Sequence, residues 1–257
     1  MITSTNNQQI KNIQLLIDKP RYRKETGLFV AEGAKMFAEA PSEMISRVYA
    51  SESFMNSSPL ALKVRSLPHE IVTDQVYHKM SDTKTPQGIL TVLTIPSYDE
   101  EKIFREGGCF LILNKIQDPG NLGTMIRTGE GAGISAVIMD EGCVDVYNPK
   151  VIRSTMGSIY RVPIIRTGSL EATINNMKAA GIKMMAAHLK GDVYYDSQSY
   201  DSGVGIMIGN EGNGLDDSIS GLADVMVRIP MDGQLESLNA AVSAAILMYE
   251  VRRHRAR

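Results

Sequence analysis

The chain has 257 residues, 43% of them hydrophobic and 22% charged, with a formal net charge of −2. That length accommodates one large domain or two modest ones around a buried core, and the charge balance argues against indiscriminate nucleic-acid binding. No uncharged apolar run approaches membrane-spanning length, the opening Met1-Ile2-Thr3-Ser4 lacks a signal-peptide layout, and two cysteines, Cys109 and Cys143, are too few for a disulfide framework or a thiolate metal cage. The expectation is a cytoplasmic protein with reduced thiols, no membrane segment and no bound metal.

In chain order, Ile10, Ile13, Leu16 and Ile17 have helical spacing, and Pro20 ends that helix. Lys19, Arg21, Arg23 and Lys24 cluster there and, taken alone, read as a solvated turn around Pro20. Residues 28–31 read as a strand, 33–40 as a helix and 48–50 as a second strand, with further strands at 71–72 and 89–93. A first α/β domain thus spans 1–95, and residues 96–106, polar and charged at both ends, read as a linker to a second domain over 107–257.

The second domain alternates strand and helix. Strands are predicted at 110–113, 136–139, 184–187, 205–208 and 225–229. Helices are predicted at 122–131, closed by Gly131 and Gly133, and at 170–180, stopped by Gly181. The final helix runs from about Leu238 into a basic tail of Arg252, Arg253, Arg255 and Arg257, which suits a helix C-terminus. Such alternation predicts a mostly parallel sheet covered on both faces.

Three Gly/Asn-rich loops follow apolar strands, and in open α/β sheets ligands bind at the carboxyl ends of strands. The first loop carries Asn114 and Asp118-Pro119-Gly120-Asn121. Turn chemistry, with Asn121 as a helix N-cap, accounts for most of it. It does not account for Arg127, whose guanidinium suits a phosphate or carboxylate ligand. On that segment alone, a ligand site and a plain turn stand level. The second loop, Gly209-Asn210-Glu211-Gly212-Asn213-Gly214, offers glycines for close backbone approach around one acid. The third passes Pro230 to Ser237-Leu238-Asn239, where Ser237 also suits a helix cap.

Absences narrow the chemistry. The G-x-G-x-x-G fingerprint of a dinucleotide fold is missing, and no glycine-rich turn precedes a Lys-Ser or Lys-Thr pair. His69, His78, His188 and His254 are scattered without metal-ligand spacing, and no nucleophile elbow occurs. What remains is Arg, Glu, Ser and Asn, a set suited to orienting a polar substrate beside a reactive cofactor.

Taken together the loops resemble the SpoU (TrmH-type) family of RNA 2′-O-ribose methyltransferases, within the SPOUT superfamily. The match runs over about 109–251 through three ordered motifs: Asn114, Asn121 and Arg127; Gly209, Glu211, Gly212, Gly214 and Leu215; and Ile229-Pro230-Met231 with Glu236-Ser237-Leu238-Asn239-Ala240-Ala241. Residues 10–93 are similar to the family's ribosomal-protein-like substrate-binding domain, through the run from Tyr22 to Gly33. The resemblance implies S-adenosylmethionine as methyl donor, held in a deep trefoil knot, and a homodimer. It places Gly209, Asn210, Ile229, Met231 and Leu238 at the cofactor, and Asn121, Arg127, Glu211, Ser237 and Asn239 in catalysis and substrate positioning. It also gives weight to Arg21, Arg23 and Lys24 as RNA contacts, since phosphate contacts position RNA without reading its sequence. The expected activity is S-adenosylmethionine-dependent ribose methylation of RNA, ribosomal ahead of transfer RNA. The alternative is a non-catalytic RNA-binding or ribosome-assembly protein that keeps the fold.

Overall fold

The computed structural model describes residues 1–191, 193–201, 203–234 and 237–256. The chain divides into two compact units, one of Met1–Ser97 with Asp145–Tyr160 and one of Tyr98–Val144 with Arg161–Arg257. The excursion 145–160 therefore departs from a strictly sequential division near residue 100. The stretch read as a linker carries a helix, Glu100–Glu106, which Asp99 caps by accepting from the Lys102 N–H. Among the described residues, no helix is long and apolar enough to cross a membrane.

In the first unit, strands β1 (Leu28–Glu32), β2 (Ile45–Ser51), β3 (His69–Val72) and β4 (Ile89–Thr94) form one sheet in the order β1-β4-β2-β3. Pairing is antiparallel except between β2 and β3. The helix Gln8–Asp18 buries Ile10, Ile13 and Leu16 against this sheet, in a core with Val30, Tyr49, Val76 and Leu90. The expected turn around Pro20 is instead a second helix, Pro20–Thr26. Proline at a first helical position loses nothing, because its missing N–H would have no partner there. Gly27, with φ of 65°, closes the helix in the left-handed conformation.

The second unit is a fully parallel seven-stranded sheet. Its strands are β5 (Cys109–Leu113), β6 (Ala136–Asp140), β7 (Ile164–Thr167), β8 (Lys183–Ala187), β9 (Val193–Tyr194), β10 (Val204–Ile208) and β11 (Val225–Arg228). They lie in the order β7-β6-β5-β10-β8-β11-β9. Both faces are buried, so β5 and β10 are buried at every position. Phe110, Ile112, Ile138 and Met184 face a core shared with the helices Glu100–Glu106 and Leu170–Ala179. The helices Pro119–Ala132 and Ala240–Arg255 pack on each other. Strands β5 and β10 pair with Leu113 opposite Ile208, so the loops starting at Asn114 and Gly209 leave the sheet side by side.

Candidate active site

The first loop is pinned where it leaves β5. Asn114 is 2% exposed, and its side chain donates to Asp140 at 2.7 Å and to Asp216 at 3.2 Å while accepting from the Asp216 N–H. Lys115 follows with φ of 56°, a left-handed conformation that is costly for a side-chain-bearing residue. Its N–H donates to Asp140, its carbonyl accepts from Asn210 at 2.8 Å, and its ammonium pairs with Asp216 at 2.7 Å. The Lys115 hydrogen bond and that from Asn114 hold the Asp216 carboxyl below its ordinary range.

The helix after this loop starts one turn earlier than predicted. Asp118, not Asn121, is its N-cap, accepting from the Asn121 N–H at 2.7 Å, and Pro119 takes the first helical position. Freed from capping, the Asn121 side chain faces the other two loops.

Glu211, in the second loop, accepts from Asn121 at 3.0 Å and from the N–H groups of Gln117 and Asp118 at 3.2 Å each. Burial pushes its carboxyl up, but the bonds from Asn121 and from the backbone outweigh it and hold the group below its ordinary value. Glu211 is thus a tether between loops. Asn210 supports it, accepting from the N–H groups of Gly212 and Asn213 while bonding Lys115. Gly209 is where backbone runs against backbone: a Cβ there would collide with Gly214 and the Leu215 nitrogen.

In the third loop Asn239, rather than Ser237, caps the last helix, accepting from the N–H groups of Ala241 and Val242. Its amide donates to the Asn121 oxygen at 3.0 Å. A single chain, Glu211–Asn121–Asn239, therefore joins all three loops. The Ser237 hydroxyl has no partner among the described residues. Leu235 and Glu236 lie outside the described residues, as does Arg257 of the basic tail.

Beside this chain lies a cavity of about 630 Å³, walled by the second loop, the third loop, the end of β8 and the end of β11. That volume falls within the ~300–1,000 Å³ usual for small-molecule sites. All five residues expected at the cofactor, Gly209, Asn210, Ile229, Met231 and Leu238, line it, as do Glu211 and Ser237. S-adenosylmethionine fits this lining. Ile229, Met231 and Leu238 are half-buried apolar walls, Gly209 brings bare backbone to the surface, and Glu211 sets a fixed carboxylate where a sulfonium would be favoured.

Arg127 is exposed, does not line the cavity and has no hydrogen bond or ion pair among the described residues. Of the three expected RNA contacts, Arg21 and Lys24 are exposed, Arg21 sharing a surface pair with Glu25. Arg23 must be withdrawn, because its side chain is 2% exposed. Its guanidinium bonds Asp145 at 2.5 and 2.8 Å and the carbonyls of Leu16 and Ile17 at 2.5 and 2.9 Å. The cause is local: the Leu16 carbonyl would accept from the N–H four residues on, and that residue is Pro20.

Sequence reading also missed Asp118, Asp140 and Asp216, which act through loop geometry, and Lys190, Tyr194 and Arg228, which line the cavity. A two-residue strand such as β9 leaves no periodicity to read. Among the described residues, no cluster of three or more His, Cys, Asp or Glu side chains could hold a metal ion.

Comparison with known proteins bears directly on this site. The family model described as the SpoU rRNA Methylase family matches residues 108–249, and the MRM3-like substrate binding domain matches residues 7–91. The 23S rRNA (guanosine(2553)-2′-O)-methyltransferase RlmP of Bacillus subtilis is 32% identical over 253 residues, 98% of each chain. Among solved structures, an AdoMet-bound rRNA methyltransferase from Sinorhizobium meliloti superposes with a TM-score of 0.87 at 30% identity, covering 98% of this chain and 97% of that one. The SpoU methyltransferase AviRb from Streptomyces viridochromogenes, in complex with AdoMet, gives a TM-score of 0.87 at 25% identity over 98% and 99% of the two chains.

Proposed function

The chain belongs to the SpoU rRNA methylase family, and from that premise we propose that it transfers the methyl group of S-adenosylmethionine to a ribose 2′-oxygen of ribosomal RNA. One observation carries the reading at the level of residues: the Glu211–Asn121–Asn239 chain draws the three motif loops together at the edge of a cavity lined by all five expected cofactor residues.

When bound, the donor supplies a methyl group activated by its sulfonium. The residues around it supply geometry. Ile229, Met231 and Leu238 exclude water from the apolar wall, and Gly209 admits close backbone approach. Ser237, with its hydroxyl uncommitted, meets the incoming 2′-hydroxyl. Asn121 and Asn239 hold that serine's loop in register with the second loop. Glu211 has spent its oxygens on three donors and a lowered carboxyl pKa, so it is a poor proton acceptor and serves as a strut. Arg127 presents a planar guanidinium whose fork suits two phosphate oxygens, and it acts as a clamp on an RNA phosphate. Fixing reactants in line is a sufficient source for much of such an acceleration.

Arg127 lies outside the cavity of its own chain, and Val242 and Tyr249 are about half exposed on the last helix. Both features support a homodimer in which that helix face is covered and Arg127 reaches a shared site. The trefoil knot belongs to the same proposal. It is supported by β10 lying between β5 and β8, so that the chain returns from the edge strand β9 to mid-sheet. Exposed Arg21 and Lys24 are the first unit's contacts to RNA phosphates, and the reaction is placed in the cytoplasm.

The test is incubation of the protein with methyl-labelled S-adenosylmethionine and separate ribosomal and transfer RNA pools, followed by mapping of labelled ribose. Label at one 2′-oxygen of ribosomal RNA is the expected result. Label confined to transfer RNA would overturn the substrate assignment, and donor binding without label in either pool would favour the non-catalytic alternative.

A further inference from the structure

The cavity has two unlike ends. Strand order sets β8, β11 and β9 beyond β10, so the lining runs from the Gly209 loop across three strand spacings, about 14 Å. The near end adjoins the Glu211–Asn121–Asn239 chain and Ser237. The far end is lined by Lys190, Tyr194 and Arg228. In the parallel ladder of β11 and β9, Arg228 and Tyr194 are direct register partners, so their side chains leave the same face. The Arg228 guanidinium lies over the Tyr194 ring, 4.6 Å from its centroid. Neither Arg228 nor Lys190 has a side-chain hydrogen bond or ion pair among the described residues. The stack is therefore not a by-product of a salt bridge.

We propose that the Arg228–Tyr194 stack is a platform for the adenine ring of the methyl donor, setting the depth at which the donor's reactive end meets Ser237. The inference rests on the donor reading given above. Because the reacting centre belongs at the near end, one arm of the donor extends toward the far end. Its two arms differ in kind: one ends in a flat, uncharged purine, the other in an amino acid bearing both an ammonium and a carboxylate. A guanidinium is planar and weakly hydrated, and bases stack on such planes as they do on aromatic rings. Tyr194 backs the guanidinium within the cavity lining, so the group is positioned before the ligand arrives and less rotamer freedom is lost on binding. The same cations disfavour the ammonium of the amino-acid arm. Arg228 and Tyr194 are thus positioning residues, acting through the donor.

The experiment is calorimetric titration of the full chain with S-adenosylhomocysteine and with 5′-methylthioadenosine, which shares the adenosine but has no amino-acid arm. Binding of both by the wild type carries the donor reading, and the variants carry the platform. Arg228→Lys keeps the charge and removes the plane, and Tyr194→Ala removes the backing. Each is expected to weaken both ligands about tenfold, in line with the energy of base stacking. Tyr194→Phe keeps the ring and is expected to bind as the wild type does. Thermal unfolding of each variant checks its fold, and if Tyr194→Ala unfolds, Arg228→Lys decides. A loss confined to S-adenosylhomocysteine would assign these cations to the donor carboxylate and overturn the platform, as would unchanged affinity in Arg228→Lys. A wild type that binds neither ligand would overturn the platform and the donor reading together.

Discussion

Arg23 offers the sharpest separation between a structural and an RNA-binding residue, because the sequence groups it with Arg21 and Lys24 and the structure does not. Its guanidinium is 2% exposed and makes four hydrogen bonds, two to Asp145 and two to the final carbonyls of the helix Gln8–Asp18. Truncation by Arg23→Ala would leave a carboxylate with 15% side-chain exposure and two carbonyls without partners. Breaking a buried ion pair from one side typically costs about 3–5 kcal/mol, a large share of a domain's stability. The double variant Arg23→Met with Asp145→Leu removes the orphaned charge and should recover part of that loss. It should not recover all, since each unpaired buried carbonyl still costs roughly 1–3 kcal/mol. Urea unfolding followed by circular dichroism measures the loss, and hydrogen exchange locates it in β1–β4 and the segment 145–160. Lys24→Ala, at an exposed position with no side-chain partner among the described residues, should leave stability unchanged and weaken RNA binding in a salt-dependent way. An Arg23→Ala protein of wild-type stability whose RNA affinity falls as far as that of Lys24→Ala would refute the reasoning.

Three further outcomes are expected. Gly209→Ala should lower affinity for S-adenosylhomocysteine more than tenfold, because the new Cβ meets the backbone of Gly214 and Leu215 and the loop must rebuild; calorimetry giving wild-type affinity would contradict the close approach. Glu211 has a folded pKa depressed below its ordinary 4.5, so its contribution is complete above that pH and is lost as pH falls through the lower folded value. Affinity for S-adenosylhomocysteine should accordingly hold from neutral pH to about 4.5 and then drop, while Glu211→Gln binds weakly throughout; a variant matching the wild-type profile would remove Glu211 as a strut. Arg127→Ala should abolish methyl transfer with donor affinity within about twofold of wild type, as expected for a clamp that touches only RNA. Parallel losses of turnover and donor affinity would place Arg127 at the cofactor instead.

Much of the architecture was legible in residue order. Buried parallel strands leave continuous apolar runs, and β5 and β10 stand out as such because nothing on either face is polar, whereas β11 is apolar only up to Arg228. The loops after them were readable from glycine, asparagine and proline, whose backbone preferences are local. Three motifs led to the expectation that these loops converge, and in the structure Gly209, Ile229, Met231 and Leu238 line one cavity. The structure alone decided which loop residues line the cavity and which hold the loops. Asn121 and Asp118 are both good caps by composition, and only the start of the helix at Pro119 released Asn121 to Glu211 and Asn239. Likewise a charge cluster records that cations are present but not where they point. Arg23 turned inward because Pro20 withholds an N–H from Leu16 and because Asp145, 122 residues away, supplies the counter-charge. The Arg228–Tyr194 stack was equally invisible, since strand pairing between β9 and β11 creates it across a gap in the chain that no local pattern spans.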